Sequence, residues 1–336
     1  AALARAARAG LVCLGKTHMT ELAFSGLGIN PTTATPPNVA DPALAPGGSS
    51  SGAAASVALG LAAAAIASRR GGSVRVPAAW NDLVGLKTGH GRLPMEGVLP
   101  LCPRFDTIGP LTRSVEDAAL LLAVLAAEAP PDLAGATLDG PRLAVLDTAP
   151  LGPTEDAAAA AFEAALDRLA AAGARIERRG APEVAEAFGH AGPLFAGEAF
   201  ATWGATIEAD PGAMFAPVRE RFRSGASVSA SAFVQAWTRL DGLRAGFRAA
   251  MADVDAVVTP TVAIAPPAVA PLLADEAAFV ATNLAALRNT RVANLMDLCA
   301  LTLPTGVAAC GLSALAPPGG EARLLRLGAA MERALT

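Results

Sequence analysis

Pro46-Gly47-Gly48-Ser49-Ser50-Ser51-Gly52 and Gly71-Gly72-Ser73-Val74-Arg75-Val76-Pro77 are two glycine-serine loops separated by one uncharged segment. Glycine lets backbone approach a ligand closely and adopt dihedrals that other residues avoid. A serine beside such glycines is exposed next to free backbone N–H groups. Acyl-transfer chemistry needs that pairing, a hydroxyl nucleophile beside donors for an oxyanion. Taken singly, either loop reads as a turn or a flexible linker. Two of them bracketing a helix-like segment, the second leading into Val-Arg-Val-Pro, point to chemistry instead.

The chain around these loops has 336 residues, room for one large domain or two ordinary ones. Its residues are 53% apolar and 17% charged, so a sizeable core can be buried, and the abundance of alanine points to packed helices. The 33 glycines and 26 prolines imply many connecting loops. Net charge is −4 and no run of Lys or Arg forms a basic stripe, so nucleic-acid binding has no electrostatic support; Arg69 and Arg70 are too few to supply it. Cys13, Cys102, Cys299 and Cys310 show neither CxxC pairing nor a histidine-rich neighbourhood, which leaves zinc and redox motifs unsupported. They read as mostly buried thiols in a reducing compartment, hence a cytoplasmic protein. Residues 1–10 carry two arginines without the apolar stretch of a secretory signal. Residues 53–67 are uncharged but short and alanine-rich, suiting a buried helix better than a membrane span. The chain opens in what reads as mid-helix, so an upstream segment is expected.

Along the chain, residues 1–9 read as the end of a helix closed by Gly10, residues 11–14 as a short strand and 16–24 as helix. Residues 28–46 form a long Pro/Thr/Asn-rich loop, of a length that is usually functional or disordered. Ser51 is placed to cap a helix over 53–68, whose positive end would face Ser49. Residues 74–80 and 83–86 read as extended. Ser114 caps an apolar helix over 115–128, and the Pro/Gly-rich stretch 129–141 looks like a boundary between lobes. A strand at 142–146, an amphipathic helix at 154–172 and a strand at 174–179 follow, an order that argues for α/β architecture. Residues 181–251 are mainly helical with a break near 211–217. A strand at 255–260, a long helix at 275–299, short strands at 301–304 and 307–312, and a terminal helix at 320–335 complete the reading.

Several segments together resemble the amidase signature family. These are Gly15-Lys16-Thr17-His18-Met19-Thr20-Glu21, the two loops above, Gly85-Leu86-Lys87-Thr88-Gly89-His90-Gly91-Arg92, and the stretch from Phe105 to Asp117 that contains Gly109-Pro110-Leu111-Thr112-Arg113. Thr259-Pro260-Thr261, Asn294 and Leu303-Pro304-Thr305-Gly306 also fit. The first 120 residues carry the specific part of the likeness and the middle is generic. The resemblance implies an α/β domain with a mixed twisted sheet wrapped by helices, N-terminally incomplete. It would be one amidase domain over 1–336: catalytic loops in 1–130, a variable substrate-shaping region in 131–254, and a return to the core in 255–336.

The resemblance also implies a Ser–cis-Ser–Lys triad. Ser73 resembles the nucleophile and Ser49 the bridging serine, preceded in the family by a cis peptide bond. The backbone N–H groups of Arg70, Gly71, Gly72 and Ser73 resemble an oxyanion hole. Gly48, Ser50, Arg75 and His18 are candidate substrate contacts, with a salt bridge as the alternative role for Arg75 and a structural one for His18. The family's lysine lies upstream of the first residue; Lys16 matches a later motif and Lys87 a structural position. Where the family has aspartate, this chain has Arg69, which would deprive Arg75 of a partner. His90 and His190 have no visible partners for a Ser-His-Asp arrangement. No cofactor and no metal are implied. The expected activity is hydrolysis of small carboxamides through a seryl acyl-enzyme. Two alternatives are the A subunit of a glutamine-dependent aminoacyl-tRNA amidotransferase and an impaired homologue acting as a scaffold. The expected partner is a small amide substrate, with no direct nucleic acid and no membrane; a homodimer or amidotransferase partner subunits follow by analogy.

Overall fold

The computed structural model describes residues 1–69 and 71–336, with Arg69 described by its backbone alone. Helix α1 (Ala2–Arg8) precedes an irregular stretch that reaches the first glycine-serine loop. Then come α2 (Ser51–Ala58), β1 (Ala64–Arg69), α3 (Arg75–Trp80), β2 (Val84–Lys87), β3 (Thr107–Thr112) and α4 (Val115–Ala126). The middle of the chain forms β4 (Arg142–Leu146), α5 (Asp156–Ala171), β5 (Arg175–Arg179), α6 (Pro182–Ala209), α7 (Ala216–Arg223) and α8 (Ala230–Ala250). The last part adds β6 (Ala256–Pro260), α9 (Val269–Ala274), α10 (Glu276–Leu295), β7 (Cys299–Pro304), β8 (Gly311–Ala316) and α11 (Glu321–Leu335).

Among the described residues, eight strands form one sheet in the order β1-β3-β2-β7-β8-β6-β4-β5. The β4–β5 and β4–β6 pairs are parallel and the others antiparallel, so the sheet is mixed, as expected. Successive strand residues point to opposite faces. Leu143, Val145, Leu301 and Leu303 pack with α4, α5 and α11 on one face. Ala144, Leu146 and Ala300 pack with α6, α7 and α8 on the other. At about 25 cal/mol per Å² of apolar surface, this double-sided burial is the main force holding the fold.

Several local expectations hold. Strand 142–146 is found as read, and Ser114 Oγ accepts a hydrogen bond from Asp117 N at 3.1 Å as the cap of α4. Others are corrected. The segment 53–68 is a helix only to Ala58; Gly60 takes a left-handed φ of 73° and the chain leaves as β1, paired with β3. Ser50 rather than Ser51 stands at the N-cap, without a side-chain cap bond. Residues 74–80, read as extended, form α3, because Pro77 falls in the first turn, where a missing N–H costs nothing.

Residues 11–14 are not a strand. Val12 and Leu14 are exposed, and among the described residues no neighbouring strand offers them a ladder. The expected helix over 16–24 shrinks to one turn at Glu21–Ala23, since Thr20 N donates to Ser49 O and His18 O accepts from Gly52 N. The tertiary contacts take the groups that a helix would use. The helix begun at 275 stops at Leu295, freeing β7, and the strand expected at 307–312 lies at Gly311–Ala316 after a turn.

Cys13 is exposed, whereas Cys102, Cys299 and Cys310 are buried thiols. Burial pushes the Cys299 thiol up to about 12. Brief maleimide treatment of the native chain at about pH 8 is therefore expected to modify Cys13 alone, the other three reacting only after unfolding. Mass-spectrometric mapping before and after addition of urea checks this, and native labelling of Cys299 would contradict it.

Candidate active site

β1 runs antiparallel to β3 and delivers the chain to Gly71, while α2 begins directly after the first loop. The two loops meet at their serines. Ser49 Oγ and Ser73 Oγ are hydrogen-bonded, and the Ser49 N–H donates to Ser73 Oγ at 2.5 Å. Both serines are buried. The Gly48–Ser49 peptide bond is cis, as the resemblance implies.

Backbone contact sets this position. Gly47 N donates to Leu27 O and Gly48 N to Gly26 O. A Cβ on Gly28 would stand 2.4 Å from Gly47 O, and one on Gly48 would stand 2.5 Å from Gly28 N. Only glycines allow the two chains to pass so closely. Beyond Ser73, Val74 takes φ 72° and ψ −54°, a conformation in which a β-branched residue is strained. Val74 is fully buried beside Ala53, Ala78 and Leu111, and that packing holds it there. The sharp turn puts Val74 in the core and leaves Ser73 on a cavity.

That cavity encloses about 320 Å³, counting its open mouth. Gly71, Gly72 and Ser73 form one wall. Ala23, Phe24, Phe195 and Leu287 form apolar walls, and Arg221 and Arg291 supply positive charge. Arg70, expected among the oxyanion donors, lies outside the described residues, as does the side chain of Arg69. Among the described residues, no group accepts from the N–H of Gly71 or Gly72. These donors are available at the wall beside Ser73.

None of the four expected substrate contacts lines this cavity. Gly48 is occupied in the contact between loops. Ser50 Oγ donates to Ser68 O at 3.2 Å and ties the loop to β1. His18 is exposed, its backbone packed on Gly52. Arg75 is fully buried and donates to Thr290 O and to Asn294 Oδ1 at 2.8 Å, fastening α3 to α10. Its Nε and Nη1 have no hydrogen-bond partner among the described residues, so the salt bridge considered for it is not formed there. Burial pushes its guanidinium down to about 9. Neither lysine meets Ser49: Lys16 is exposed, and Lys87 Nζ donates to Thr88 O at 2.9 Å.

Arg221 and Arg291 escaped the sequence reading. They sit far apart in the chain, on α7 and α10, and no spacing links them. A signal existed in Arg288-Asn289-Thr290-Arg291, a polar run in the C-terminal half of α10, where Ala286, Leu287, Val292, Ala293 and Leu295 are buried. Such a helix faces a polar interior.

Near the cavity, α6 also carries Glu198. Its Oε1 accepts from Arg104 N at 3.3 Å, and its Oε2 is buried without a hydrogen-bond partner. Burial pushes its carboxyl up to about 7, against the pull of Arg104. The native group then keeps its proton where the unfolded one, at about 4.5, has lost it. Stability falls as pH rises from about 4.5 through about 7 and is level beyond. Glu198→Gln is expected to flatten that slope and to gain about 1 kcal/mol at about pH 8, a value reduced for partial exposure. Urea denaturation at about pH 4 and about pH 8 checks this; an unchanged slope would contradict it.

The family model described as Amidase matches residues 2–325. A 2-amino-5-chloromuconic acid deaminase from Comamonas testosteroni is 39% identical over 331 residues, 96% of this chain and 71% of that protein. The A subunit of a glutamyl-tRNA(Gln) amidotransferase from Chlorobium limicola is 44% identical over 133 residues, 40% of this chain and 28% of that one. A crystal structure of an amidase superposes with a TM-score of 0.89 at 29% identity, covering 100% of this chain and 77% of that one. Sequence likeness along nearly the whole chain and the shared fold agree: this protein belongs to the amidase family.

Proposed function

We propose that this protein hydrolyses small carboxamides through an acyl-enzyme on Ser73. The observation that carries the reading is the Ser49–Ser73 hydroxyl pair opening on a cavity walled by Gly71 and Gly72. Ser73 Oγ attacks the amide carbonyl carbon as its proton passes to Ser49 Oγ, and Ser49 passes its own proton to a general base, a role that the resemblance gives to a lysine. The N–H groups of Gly71 and Gly72 stabilise the oxyanion. The positive end of α2, which starts just after Ser49, favours negative charge on the serine pair. The C–N bond then breaks, the amine or ammonia leaves with a proton, and water hydrolyses the ester to carboxylate. The base role that the resemblance gives to a lysine falls on neither Lys16 nor Lys87.

A fluorophosphonate probe with peptide mapping tests this. Labelling at Ser73 supports an activated nucleophile. Absence of labelling in a cooperatively folded sample would overturn the reading and leave a scaffold. The second reading, an amidotransferase A subunit that passes ammonia to a partner, draws on the 44% identity with such a chain. Co-purification with partner chains and glutamine-dependent ammonia release would favour it. Among the described residues, no helix is long and apolar enough to cross a membrane.

A further inference from the structure

We propose a second ligand site, for a flat apolar molecule carrying one carboxylate, in the cleft between the C-terminal turn of α8 and the turn joining β8 to α11. It shares no lining residue with the cavity at Ser73, so it stands independently of the acyl-enzyme reading. The cleft offers about 360 Å³ of space, within the range of small-molecule sites. The local sequence builds it. β6 begins at Ala256, β8 ends at Ala316, and their antiparallel pairing brings these two ends together. Pro317 and Pro318 follow, and neither has an N–H to extend a ladder. Gly319, at φ +81°, then turns the chain into α11.

The floor of the cleft is apolar. Phe247 and Met251 of α8, Val257 of β6, Leu298 ahead of β7 and Leu315 of β8 all line it, and all are buried. They belong to the core on the α6–α8 face of the sheet, so this is a place where that core reaches the surface. Covering such a floor is favourable in proportion to the apolar area removed from water. The Met251 thioether favours an aromatic ring as the covering group.

The mouth is positive. Arg248 and Arg323 line it, and both are exposed. Among the described residues, Arg248 makes no hydrogen bond and no ion pair, and nearby Arg244 adds like charge. Arg323 Nη2 donates to Asp255 Oδ1, while Asp255 Oδ2 accepts from Arg142 N at 2.7 Å. One carboxylate thus serves two guanidinium groups at the mouth. The next acid, Glu321, is buried and accepts from Gly89 N at 2.7 Å. Other exposed arginines have their own acids, Arg223 with Glu208 and Arg239 with Glu186. A single added carboxylate balances the mouth, and a guanidinium fork can hold it by two parallel hydrogen bonds. A neutral ligand would gain the floor alone.

Calorimetric titration of the unmodified chain with naphthoate and with neutral naphthalenemethanol tests floor and mouth separately. Naphthoate is expected to bind about fivefold or more tightly, the worth of charge-assisted hydrogen bonds at a solvated mouth. Arg248→Gln should cut that ratio to about twofold or less. Location is read with Ala252→Cys, at an exposed residue that lines the cleft. Naphthoate should slow maleimide modification of that variant's added thiol by about fivefold or more, leaving the rate at Cys13 unchanged. Arg248 and Ala252 are both exposed, so neither substitution disturbs the core. Equal affinity for acid and alcohol would overturn the carboxylate assignment. No binding of either probe, or binding of naphthoate without protection of the added thiol, would overturn the site.

Discussion

Ser73→Ala is expected to abolish fluorophosphonate labelling and to lower amide turnover by about 10⁴-fold or more, the usual result of deleting a serine nucleophile. The fold should survive. The lost hydroxyl leaves the Ser49 N–H and Oγ without that partner, a cost of about 1–3 kcal/mol. Ser49→Ala tests a different part of the arrangement. It removes the relay hydroxyl but keeps the backbone N–H that donates to Ser73 Oγ, so Ser73 stays oriented while losing its proton acceptor. A fall of about 10²–10⁴ in kcat, with KM little changed, is expected for the loss of a proton-transfer group. Turnover of the same amide by wild type and by Ser73→Ala at equal rates would sink the assignment of the nucleophile.

Gly28→Ala is expected to remove both stability and labelling, although residue 28 touches no substrate. Its φ is +81°, and an added Cβ would meet Gly47 O at 2.4 Å, Gly47 C at 2.8 Å and Ser51 Cβ at 2.9 Å. The left-handed conformation costs an L-residue about 1–2 kcal/mol. Crowding a packed backbone adds about 1–3 kcal/mol. The chain can relieve the collision only by moving the loop that carries Ser49. Gly60→Ala is the matched control, since its φ is +73° but nothing lies within 4 Å. It should show the conformational cost alone and keep full labelling. Urea midpoints and labelling rates of the two variants separate these effects; equal behaviour would mean that the contact between loops does not position the serines.

The two serines were legible because each lies in a short contiguous loop whose glycines advertise close backbone approach. The strand 142–146 and the Ser114 cap were legible for a similar reason: a run of apolar residues and a local hydrogen bond carry their own signals. Residues 53–68 were not. An alanine-rich, uncharged segment has no polar face to mark a period, so helix and strand look alike until Gly60 is recognised as the stop. Residues 16–24 misled because their donors and acceptors are used by distant loops. Arg75 reads either as a substrate contact or as a salt-bridge partner beside the nucleophile; α3 turns it into the interior, where it donates to Thr290 O and Asn294 Oδ1 of α10. The cations that do reach the cavity come from α7 and α10, a placement that depends on tertiary packing.

The sheet order bears on how the chain is made. A ribosome releases the strands from β1 onward, but the hairpin of β7 and β8 sits in the middle, between β2 and β6. Until residues 299–316 emerge, the nascent chain holds two separate three-stranded blocks, β1-β3-β2 and β6-β4-β5, each with an unpaired inner edge. Such edges invite pairing with other chains, and pairings this distant in sequence form slowly. The serines are synthesised early, but their supporting sheet closes only near the end of translation. A stop codon before residue 299 would therefore yield an aggregating fragment that still contains every residue of the two glycine-serine loops.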